Sequence, residues 1–402
     1  MVNPIRAYEW GSTTDLARMQ GRVPGTRPEA ELWMGAHPSD PSLLEQPDGT
    51  SVPLDQLIDA HGPELLGPHV HARFGSRLPF LLKVLAIAHP LSVQVHPTAE
   101  RARTAYEGEL GASEHHYVDP FHKPEMVYAL EPLDALCGFR SPASARHLLS
   151  LFPTERMRLL AAALGDGPAG LEHALRTLVT WPADDRAALA AEVARESRRL
   201  LAAAGSHRSG SLRPGDRRAL TWASRLAVQH PKDPLVAAPF VLDLVRLEPG
   251  QVMFVPAGAP HAYLHGLGVE IMANSDNVLR AGLTHKPIAI DELLTIVDGG
   301  SRPVRDVPST RPSEYEQLWT PLVEEFQLSR ITLADGHPVE LSDGTGPQVL
   351  LCTRGPVTVR CDDHELGIPA GHSAFVGAGA GPLTLAGPGE VFRAGVGAWL
   401  TG

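Results

Sequence analysis

Two hydrophobic patterns alternate along the chain. Up to about Arg140, and again from Phe240, short apolar runs such as LPFLLKVLAIA and FVLDLVRLEPGQVMFVPAG are separated by Pro, Gly and polar residues. This is the pattern of short strands joined by tight turns. From Pro142 to about Gln229 the chain instead contains segments such as TERMRLLAAAL and DDRAALAAEVARESRRLLAAA, which are rich in Ala, Leu, Glu and Arg at helical spacing. We therefore expect a mainly β protein with an α-helical insert.

The same pattern predicts a third unit at the C-terminus. Beyond about Ser301 the chain is rich in Pro and then returns to short strand-like runs, among them FQLSRITL, QVLLCT and PVTVRC. Their regular spacing favours a compact β unit. The expected organisation is a discontinuous β domain formed by residues 1–140 and 230–300, a helical insert of residues 141–229, and a C-terminal β domain of residues 301–402.

Composition supports the β prediction and limits the classes of ligand. The 402 residues include 38 Gly and 37 Pro, which suits a chain with many turns. The net charge of −11 opposes general attraction to nucleic acids or anionic membrane surfaces, so neither is expected as a partner. An anionic ligand would need a local basic pocket. Lysine is scarce, and its few positions therefore stand out: Lys83, Lys123, Lys232 and Lys286.

The cysteines and the first residues bear on the cellular compartment. Cys137, Cys352 and Cys361 are odd in number and form neither a disulfide framework nor a Cys-x-x-Cys metal motif. Small buried side chains are their simplest interpretation. The N-terminal sequence MVNPIRAYEWGS lacks the apolar segment of a secretion signal. We expect a cytoplasmic protein.

The clearest local motif is PGQVMFVPAGAPHAY, in which a strand between two turns is followed by His261. Its spacing, G-x5-P-x-G-x2-H, resembles the second motif of the cupin superfamily, whose small jelly-roll barrels bind a metal; in that motif the histidine is a ligand. Upstream, Gln94 and His96 in LSVQVHP are two residues apart and would face the same side of a strand. With Glu125 of HKPEMV they complete the expected ligand set.

A narrower resemblance rests on a series of blocks between Tyr8 and Thr284. The blocks are YEWGS, ELWMGAHP, LPFLLKVL, PLSVQVHP, DPFHKPEMV, PHAYLHG and VEIMANSDNVLRAGLT. Together, in this order and around a helical segment, they resemble the type I mannose-6-phosphate isomerases. The resemblance implies two cupin-like jelly-roll β-barrels plus an inserted helical domain, with the metal in the first barrel and a second, C-terminal barrel without metal.

The resemblance also implies a cofactor and a reaction. One Zn²⁺ per chain would be held by Gln94, His96, Glu125 and His261, each the residue type that the family uses there. Two imidazoles, one carboxylate and one amide oxygen are suitable donors for zinc. The implied reaction interconverts mannose 6-phosphate and fructose 6-phosphate by proton transfer through a cis-enediol, so the expected partner is a small sugar phosphate and no obligate protein partner is implied.

The resemblance marks Arg280 as the catalytic residue. A guanidinium is always protonated at neutral pH, so we assign Arg280 to enediolate stabilisation and positioning in preference to proton abstraction. The base stays open between three residues of matching blocks. We rank Glu270 first and Lys123 second, ahead of Tyr263, and each would need a pKa shifted toward neutrality.

Substrate contacts are expected from further residues of the same blocks. Lys83, a charge inside an apolar strand, and Ser92, which shares a strand face with the predicted ligands, are the candidates for the phosphate. Trp10 is expected as a wall of the pocket and Glu31 as an acceptor for a sugar hydroxyl. His122 is a further candidate for the pocket lining.

Two other functions remain open on the sequence. An Fe²⁺-dependent cupin oxygenase is one, but that chemistry uses His and carboxylate ligands, which Gln94 suits poorly. A non-catalytic sugar-phosphate sensor built on the same barrel is the other. A sensor would keep the metal ligands and lose Arg280 or Glu270, and both residues are present.

Overall fold

The computed structural model describes residues 1–46, 48–113, 115–165, 167–205, 212–341 and 346–397. Strands account for most of its regular structure outside the middle of the chain. They are β1 (Ile5–Arg6), β2 (Glu31–Met34), β3 (Leu43–Glu45), β4 (Ser51–Pro53), β5 (Phe80–Ile87), β6 (Val93–Val95), β7 (Glu125–Ala129), β8 (Leu133–Phe139), β9 (Leu242–Leu247), β10 (Val252–Val255), β11 (His261–Ala273), β12 (Leu279–Gly282), β13 (Ser309–Thr310), β14 (Glu316–Trp319), β15 (Gln327–Leu333), β16 (Val339–Glu340), β17 (Gln348–Arg354), β18 (Val357–Cys361), β19 (His364–Ile368), β20 (His372–Val376), β21 (Leu383–Ala386) and β22 (Gly389–Gly395).

Helices occur in three parts of the chain. They are α1 (Asp15–Met19), α2 (Leu54–Leu66), α3 (Pro68–Phe74) and α4 (Ala99–Glu109) in the first third; α5 (Pro142–Ser150), α6 (Glu155–Ala163), α7 (Pro168–Val179), α8 (Arg186–Gly205) and α9 (Pro214–Gln229) in the middle; and a 3-10 helix (Pro234–Ala237), α10 (Ala238–Val241) and α11 (Ile290–Ile296) after it. The helical segment predicted between Pro142 and Gln229 is confirmed.

Two antiparallel sheets share the long strand β11. The first sheet has the order β1-β2-β5-β11-β7-β10, in which residues 266–273 of β11 lie between β5 and β7. The second sheet has the order β12-β6-β11-β8-β9 and uses the start of β11, beginning at His261. Because β11 belongs to both, the two sheets curl toward each other around its length.

The sides of the two sheets that face each other form an apolar cluster, and polar side chains lie at one end of this cluster. Side chains of both sheets meet in the cluster and are almost fully buried, among them Leu85, Val127, Ala135, Val245 and Met253. Alternation along each strand sends neighbouring residues to the opposite, outer side.

The outer sides are covered by different parts of the chain. The outer side of the second sheet packs on the middle helices, as Val95, Leu264 and Ala281 share a cluster with residues of α5–α9. The outer side of the first sheet packs on α2 and α3 and on the C-terminal strands. Those C-terminal strands form a six-stranded sheet, β13-β14-β15-β22-β17-β20, and a four-stranded sheet, β16-β21-β18-β19, with their own core.

The coarse prediction of a mainly β protein with helices is therefore confirmed. The first third, expected to contain strands and loops, also contains α1, α2, α3 and α4, which the sequence analysis missed. Two of them are short or irregular: α2 contains Pro63 and a non-helical residue, His61, and α3 has seven residues. Such helices leave a weak periodic signal because Pro and Gly interrupt it. The helix α4 is mostly polar and begins at Thr98, whose side chain accepts a hydrogen bond from the Arg101 amide.

The three cysteines are free, and Cys137 and Cys352 are buried, as expected. Among the helices of the described residues, none has the length and apolar character to cross a membrane.

Candidate active site

Strand alternation places charged side chains between the two curled sheets. On β5, Leu82 and Val84 belong to the outer cluster of the first sheet, so Lys83 points inward. On β11, Val269 and Ile271 likewise face outward, and Glu270 lies directly opposite Lys83 in the antiparallel register. The same rule turns three further polar residues inward from apolar strands: Glu31, Glu125 and His261.

Three of the predicted metal ligands converge on one point. The donor atoms of His96, Glu125 and His261 lie within 4.8 Å of one another, and all three residues are buried. The Nε2 atom of His96 is 3.3 Å from Oε2 of Glu125, and the Nε2 atom of His261 is 3.0 Å from Oε1 of the same carboxylate. The fourth, Gln94, is the partner of His261 in the register between β6 and β11.

The hydrogen bonds of the two imidazoles test whether this cluster suits a cation. The Nδ1 atom of His96 lies 3.0 Å from the carbonyl oxygen of Asn277, and that of His261 lies 2.9 Å from the carbonyl oxygen of Ala259. A carbonyl can only accept, so each Nδ1 carries the proton and a neutral ring has its lone pair on Nε2. Burial lowers the pKa of His96 to about 3, which keeps that ring neutral. Its buried Nε2 has no hydrogen-bond partner.

Unshared electron pairs from two rings and a carboxylate therefore face one another. Such an arrangement of acceptors is unfavourable without a proton or a cation between them. Two imidazole nitrogens and one carboxylate are also a common donor set for zinc, with further positions left for other ligands. The residues present fit a resident Zn²⁺.

The carboxylate of Glu125 is surrounded by donors. Lys123 Nζ donates to its Oε2 at 3.3 Å, and the Tyr263 hydroxyl donates to its Oε1 at 3.3 Å. Burial alone would raise the pKa of Glu125, but the charged ammonium of Lys123 holds that pKa well below the usual value. Burial and the nearby carboxylates of Glu125 and Glu270 raise the pKa of Tyr263 well above its usual value. Tyr263 therefore stays a protonated donor.

A second charged group lies on the neighbouring strands. Lys83 Nζ is 3.4 Å from Oε2 of Glu270 and 3.7 Å from Oε2 of Glu31. Burial raises the pKa of Glu270 to about 7, with Lys83 opposing the rise and Glu125 and Glu31 adding to it. The pKa of Lys83 itself lies above its ordinary value, because three carboxylates outweigh its burial. This places a carboxyl group that titrates near neutral pH beside a permanently charged ammonium.

Arg280 lies across the second sheet from these groups. It is the register partner of Gln94 on β6, so His261, Gln94 and Arg280 form a row across three adjacent strands. Burial lowers the pKa of Arg280 below its ordinary value, and a guanidinium stays charged in spite of that.

One cavity of about 680 Å³ connects these groups. Every catalytic, metal and substrate residue predicted from the sequence lines it, except His96, which lies in the buried cluster behind Glu125 and His261. Trp10 and Ser92 belong to the lining, and Trp10 is stacked on Tyr8 with ring centroids 5.8 Å apart. The structure thus brings the predicted residues together.

The prediction that His122 lines the cavity is wrong. Its Nε2 atom lies 2.7 Å from Oε1 of Glu325, in the segment that leads into β15. The residue next to it, Lys123, points into the cavity instead, because successive residues of an extended segment face opposite sides.

Sequence reasoning also missed several lining residues. Some lie in or directly after quoted blocks, namely Tyr8, His37, Asp276, His285 and Lys286. Their position in or directly after these blocks could have identified them as candidates. Lys286 also stands out as one of the four lysines. Others are Gln229, the last residue of α9, and His230 directly after it. They come to the cavity through the packing of the helices, which no local motif indicates.

Comparison with known proteins gives a consistent result. Residues 1–142 match the family model for the catalytic domain of type I phosphomannose isomerase. The mannose-6-phosphate isomerase of Escherichia coli is 35% identical over 403 residues, covering 98% of both chains. Mannose-6-phosphate isomerase 1 of Arabidopsis thaliana is 31% identical over 388 residues, covering 92% of this chain and 87% of the relative.

Solved structures agree. A crystal structure of an arginine-to-alanine variant of phosphomannose isomerase from Salmonella typhimurium superimposes with a TM-score of 0.86 at 31% identity, covering 98% of each chain. A mannose 6-phosphate isomerase crystallised with zinc and yttrium gives a TM-score of 0.85, also at 31% identity and 98% coverage of both chains. With relatives of this identity along nearly its whole length, the chain belongs to the type I mannose-6-phosphate isomerase family.

Proposed function

We propose that this protein is a zinc-dependent aldose–ketose isomerase that interconverts mannose 6-phosphate and fructose 6-phosphate. The observation that carries the proposal is the cavity that joins a His-Glu-His metal cluster to Glu270, a carboxyl group with a pKa of about 7. Moving a proton between neighbouring carbons of a sugar requires a base that titrates near the working pH and fixed positive charge for the enediolate. The cavity contains both.

His96, Glu125, His261 and Gln94 would hold the ion. Zn²⁺ bound there would act as a Lewis acid on a substrate oxygen and stabilise negative charge that develops during the reaction. Lys123 and Tyr263 donate to the Glu125 carboxylate from two sides and orient it toward the imidazoles. The carbonyl oxygens of Asn277 and Ala259 hold each ring in the tautomer that a ligand needs.

Glu270 is the proposed base that moves the proton between C1 and C2. Burial raises the pKa of Glu270 to about 7, and Lys83 stabilises the ionised form from 3.4 Å. Lys123 also lines the cavity and is the second candidate for proton transfer. Tyr263 is the least suited of the three to accept a proton, because its phenol is already a donor and its pKa is raised.

Arg280 is the proposed stabiliser of the enediolate, as a fixed cation on the opposite wall. Lys83 and Ser92 are proposed to contact the phosphorylated sugar, with Glu31 accepting from a hydroxyl and Trp10 forming a wall. The cavity holds more cations than the sequence analysis assigned, since Lys286 joins Lys83, Lys123 and Arg280 in its lining. The same lining carries the carboxylates of Glu31, Glu125 and Glu270, which pair with Lys83 and Lys123. Arg280 and Lys286 therefore offer the local positive charge that an anionic substrate needs in a chain of net charge −11.

The domain organisation is part of the proposal. We propose a catalytic cupin barrel of residues 1–140 and 230–300, interrupted by a helical domain of residues 141–229 and followed by a cupin-like barrel of residues 301–402 without metal. Two sheets that share β11 support the first barrel, and the two facing sheets with a separate core support the second. The middle helices pack on the outer side of the second sheet.

The two alternatives are less well supported. An oxygenase is disfavoured by family membership and by the amide of Gln94 beside the cluster. A sensor is disfavoured because Arg280, Lys123 and Glu270 all line the cavity with the metal cluster, which binding alone does not require.

The test is an isomerase assay with defined metal content. Zinc-loaded protein is supplied with mannose 6-phosphate, and fructose 6-phosphate is followed in a coupled assay; a chelated sample and a chelated sample reloaded with zinc run in parallel. We expect turnover that is lost on complete metal removal and restored by zinc. Absence of turnover in the loaded protein, or turnover indifferent to verified metal removal, would refute the proposal.

A pair of histidine variants tests the ligand assignment. His261→Ala should abolish stoichiometric zinc binding and turnover. His265→Ala is the matched control, since His265 lies on the same strand but is exposed. Zinc content is measured by metal analysis after gel filtration, and a His261→Ala protein that retains one zinc per chain would contradict the assignment.

A further inference from the structure

Two loops beside the metal cluster are joined by a dense set of hydrogen bonds. The first loop, residues 118–121, leads into the segment that carries Lys123 and Glu125. The second, residues 275–277, leads into β12 with Arg280. Because each loop immediately precedes functional residues, its position fixes where those residues begin.

Asp119 accepts hydrogen bonds from both loops. Its carboxylate receives the Ser275 hydroxyl at 2.9 and 3.1 Å, the Asp276 amide at 3.0 Å and the Phe121 amide at 2.9 Å. A carboxylate has room for about four such donors, and amide and hydroxyl donors to a charged acceptor give strong hydrogen bonds. One side chain thus fixes the relative position of two chain segments more than 150 residues apart in sequence.

Asn277 completes the connection from the other side. Its Nδ2 donates to the carbonyl oxygens of Asp119 at 2.7 Å and Phe121 at 2.8 Å, and its Oδ1 accepts from the Val118 amide at 2.9 Å. The residue is 1% exposed. A buried amide that satisfies its donors and acceptor in this way has one allowed orientation, and its backbone is held with it.

The backbone of Asn277 is the point at which this network meets the metal cluster. Its carbonyl oxygen receives the Nδ1 proton of His96 at 3.0 Å. That hydrogen bond decides which ring nitrogen is free and where it points. Among the described residues the imidazole of His96 has no other hydrogen-bond partner, since its Nε2 has none.

We propose that Asp119 and Asn277 form a bridge, the Asp119–Asn277 bridge, that positions His96 for zinc and keeps the Lys123–Glu125 segment in register with Arg280. Both are positioning residues, since their side chains contact other protein groups. The inference rests on the proposed function, because positioning His96 in this way matters only if His96 binds zinc. The bridge consists of residues from two of the quoted blocks, DPFHKPEMV and VEIMANSDNVLRAGLT, whose polar side chains the proposed reaction does not use.

The experiment measures zinc affinity by competition with a colorimetric chelator, using the full-length protein. Asn277→Ala removes the amide and leaves the carbonyl free to move, so zinc affinity should fall about 10- to 100-fold, as is typical when a partner of a metal ligand is lost. Asn274→Ala is the matched control. Asn274 is a similarly buried asparagine of the same segment, but its amide donates to the carbonyl oxygens of Leu78 and Ala36.

Thermal unfolding of the zinc-free variants separates positioning from general damage. We expect both asparagine variants to be destabilised without zinc, Asn277→Ala more because it loses more and shorter hydrogen bonds, and only Asn277→Ala to lose zinc affinity. Unchanged affinity in Asn277→Ala, or an equal loss in Asn274→Ala, would overturn the inference while the proposed function stands. If Asn277→Ala does not fold, Asp119→Asn decides: an intact zinc affinity overturns the bridge, and a reduced one supports it. An unaltered protein that binds no zinc would overturn the proposed function, and the bridge with it.

Discussion

At the scale of single residues, the charge of Glu270 depends on two neighbours of opposite effect. Lys83 lies 3.4 Å from Glu270 and lowers its pKa, while Glu31 lies on the far side of Lys83 and raises it. The pKa of about 7 is the balance of burial, one cation and the surrounding carboxylates. Each neighbour can be replaced without touching the proposed base.

Replacing Lys83 should shift the acid limb of the pH profile of kcat/KM to higher pH. Lys83→Met keeps the length of the side chain and removes the charge, and an opposite charge within about 4–6 Å changes a pKa by about 1–3 units. The pKa of Glu270 therefore rises above 7, less of the ionised base is present at neutral pH, and activity at pH 7 should fall about five-fold or more. The measurement is the acid limb of kcat/KM against pH, with zinc content checked to be unchanged.

Glu31 provides the matched variant of opposite sign. Glu31→Gln removes a negative charge that raises the pKa of Glu270, and it also removes one of the two carboxylates that pair with Lys83. The acid limb should move to lower pH, by less than it rises in Lys83→Met, because Glu31 is the weaker influence. Shifts in the same direction in both variants, or no shift in either, would show that Glu270 is not the group that titrates.

At the scale of elements, β11 does the most to assemble the site. Its first residue, His261, belongs to the metal cluster in the second sheet, and Glu270 belongs to the charged group in the first sheet. Gly266 lies where the strand passes from one sheet to the other, with φ of +133°. A Cβ there would meet the Leu133 Cα and the Pro132 carbonyl oxygen, both at 2.7 Å. Only glycine allows this crossing.

Gly266→Ala should therefore destabilise the fold and disturb the site. The unfavourable backbone conformation alone costs about 1–3 kcal/mol, and the clash with backbone atoms adds to it because those atoms cannot move independently. Urea denaturation measures the free energy of unfolding, and zinc affinity reports the displacement of His261. Gly250→Ala is the control: it has a φ of +94°, but the nearest atom to a Cβ is the Tyr128 hydroxyl at 3.7 Å. An equal loss in both variants would mean that the clash contributes nothing.

Strand alternation explains how much could be predicted from the sequence. The faces of β5, β6 and β11 follow from their period of two, so Lys83 within an apolar run and the pair Gln94 and His96 could be assigned to the inner side in advance. The partners of Lys83 could not, because Glu31 and Glu270 reach it only through pairing of strands far apart in sequence. The same holds for the Asp119–Asn277 bridge.

Some helices could be predicted from the sequence and others could not, and the difference has a physical reason. The segment DDRAALAAEVARESRRLLAAA predicts a helix, and α8 spans Arg186–Gly205, because a long periodic segment with an acidic start carries its own signal. α2 and α3 are stabilised by packing against the outer side of the first sheet, where Leu54 and Val70 are buried. Tertiary packing of that kind leaves little trace in local periodicity.

At the scale of the whole molecule, the cavity is enclosed between layers that support it from outside. The middle helices cover the second sheet, and the six-stranded C-terminal sheet covers the first. The C-terminal strands carry no part of the cavity lining among the described residues, yet Phe392 of β22 packs edge-on against Tyr128 of β7 at 4.8 Å between ring centroids. β7 begins at Glu125, so the C-terminal unit braces the strand that carries a metal ligand.

Coupling between Phe392 and Tyr128 tests this support directly. Phe392 is fully buried, and Phe392→Ala should lower the free energy of unfolding by about 3–5 kcal/mol. Because the two rings touch across the junction, the effects of Phe392→Ala and Tyr128→Leu should not add: a double-mutant cycle should give a coupling of about 0.5–1.5 kcal/mol.

Leu385→Ala is the control, since Leu385 is equally buried but lies in the separate C-terminal core. Its effect should add to that of Tyr128→Leu within about 0.5 kcal/mol. The free energies come from urea denaturation followed by both fluorescence and isomerase activity. If Phe392 and Tyr128 prove additive, or if activity survives the transition in which the C-terminal strands unfold, the first sheet stands without their support.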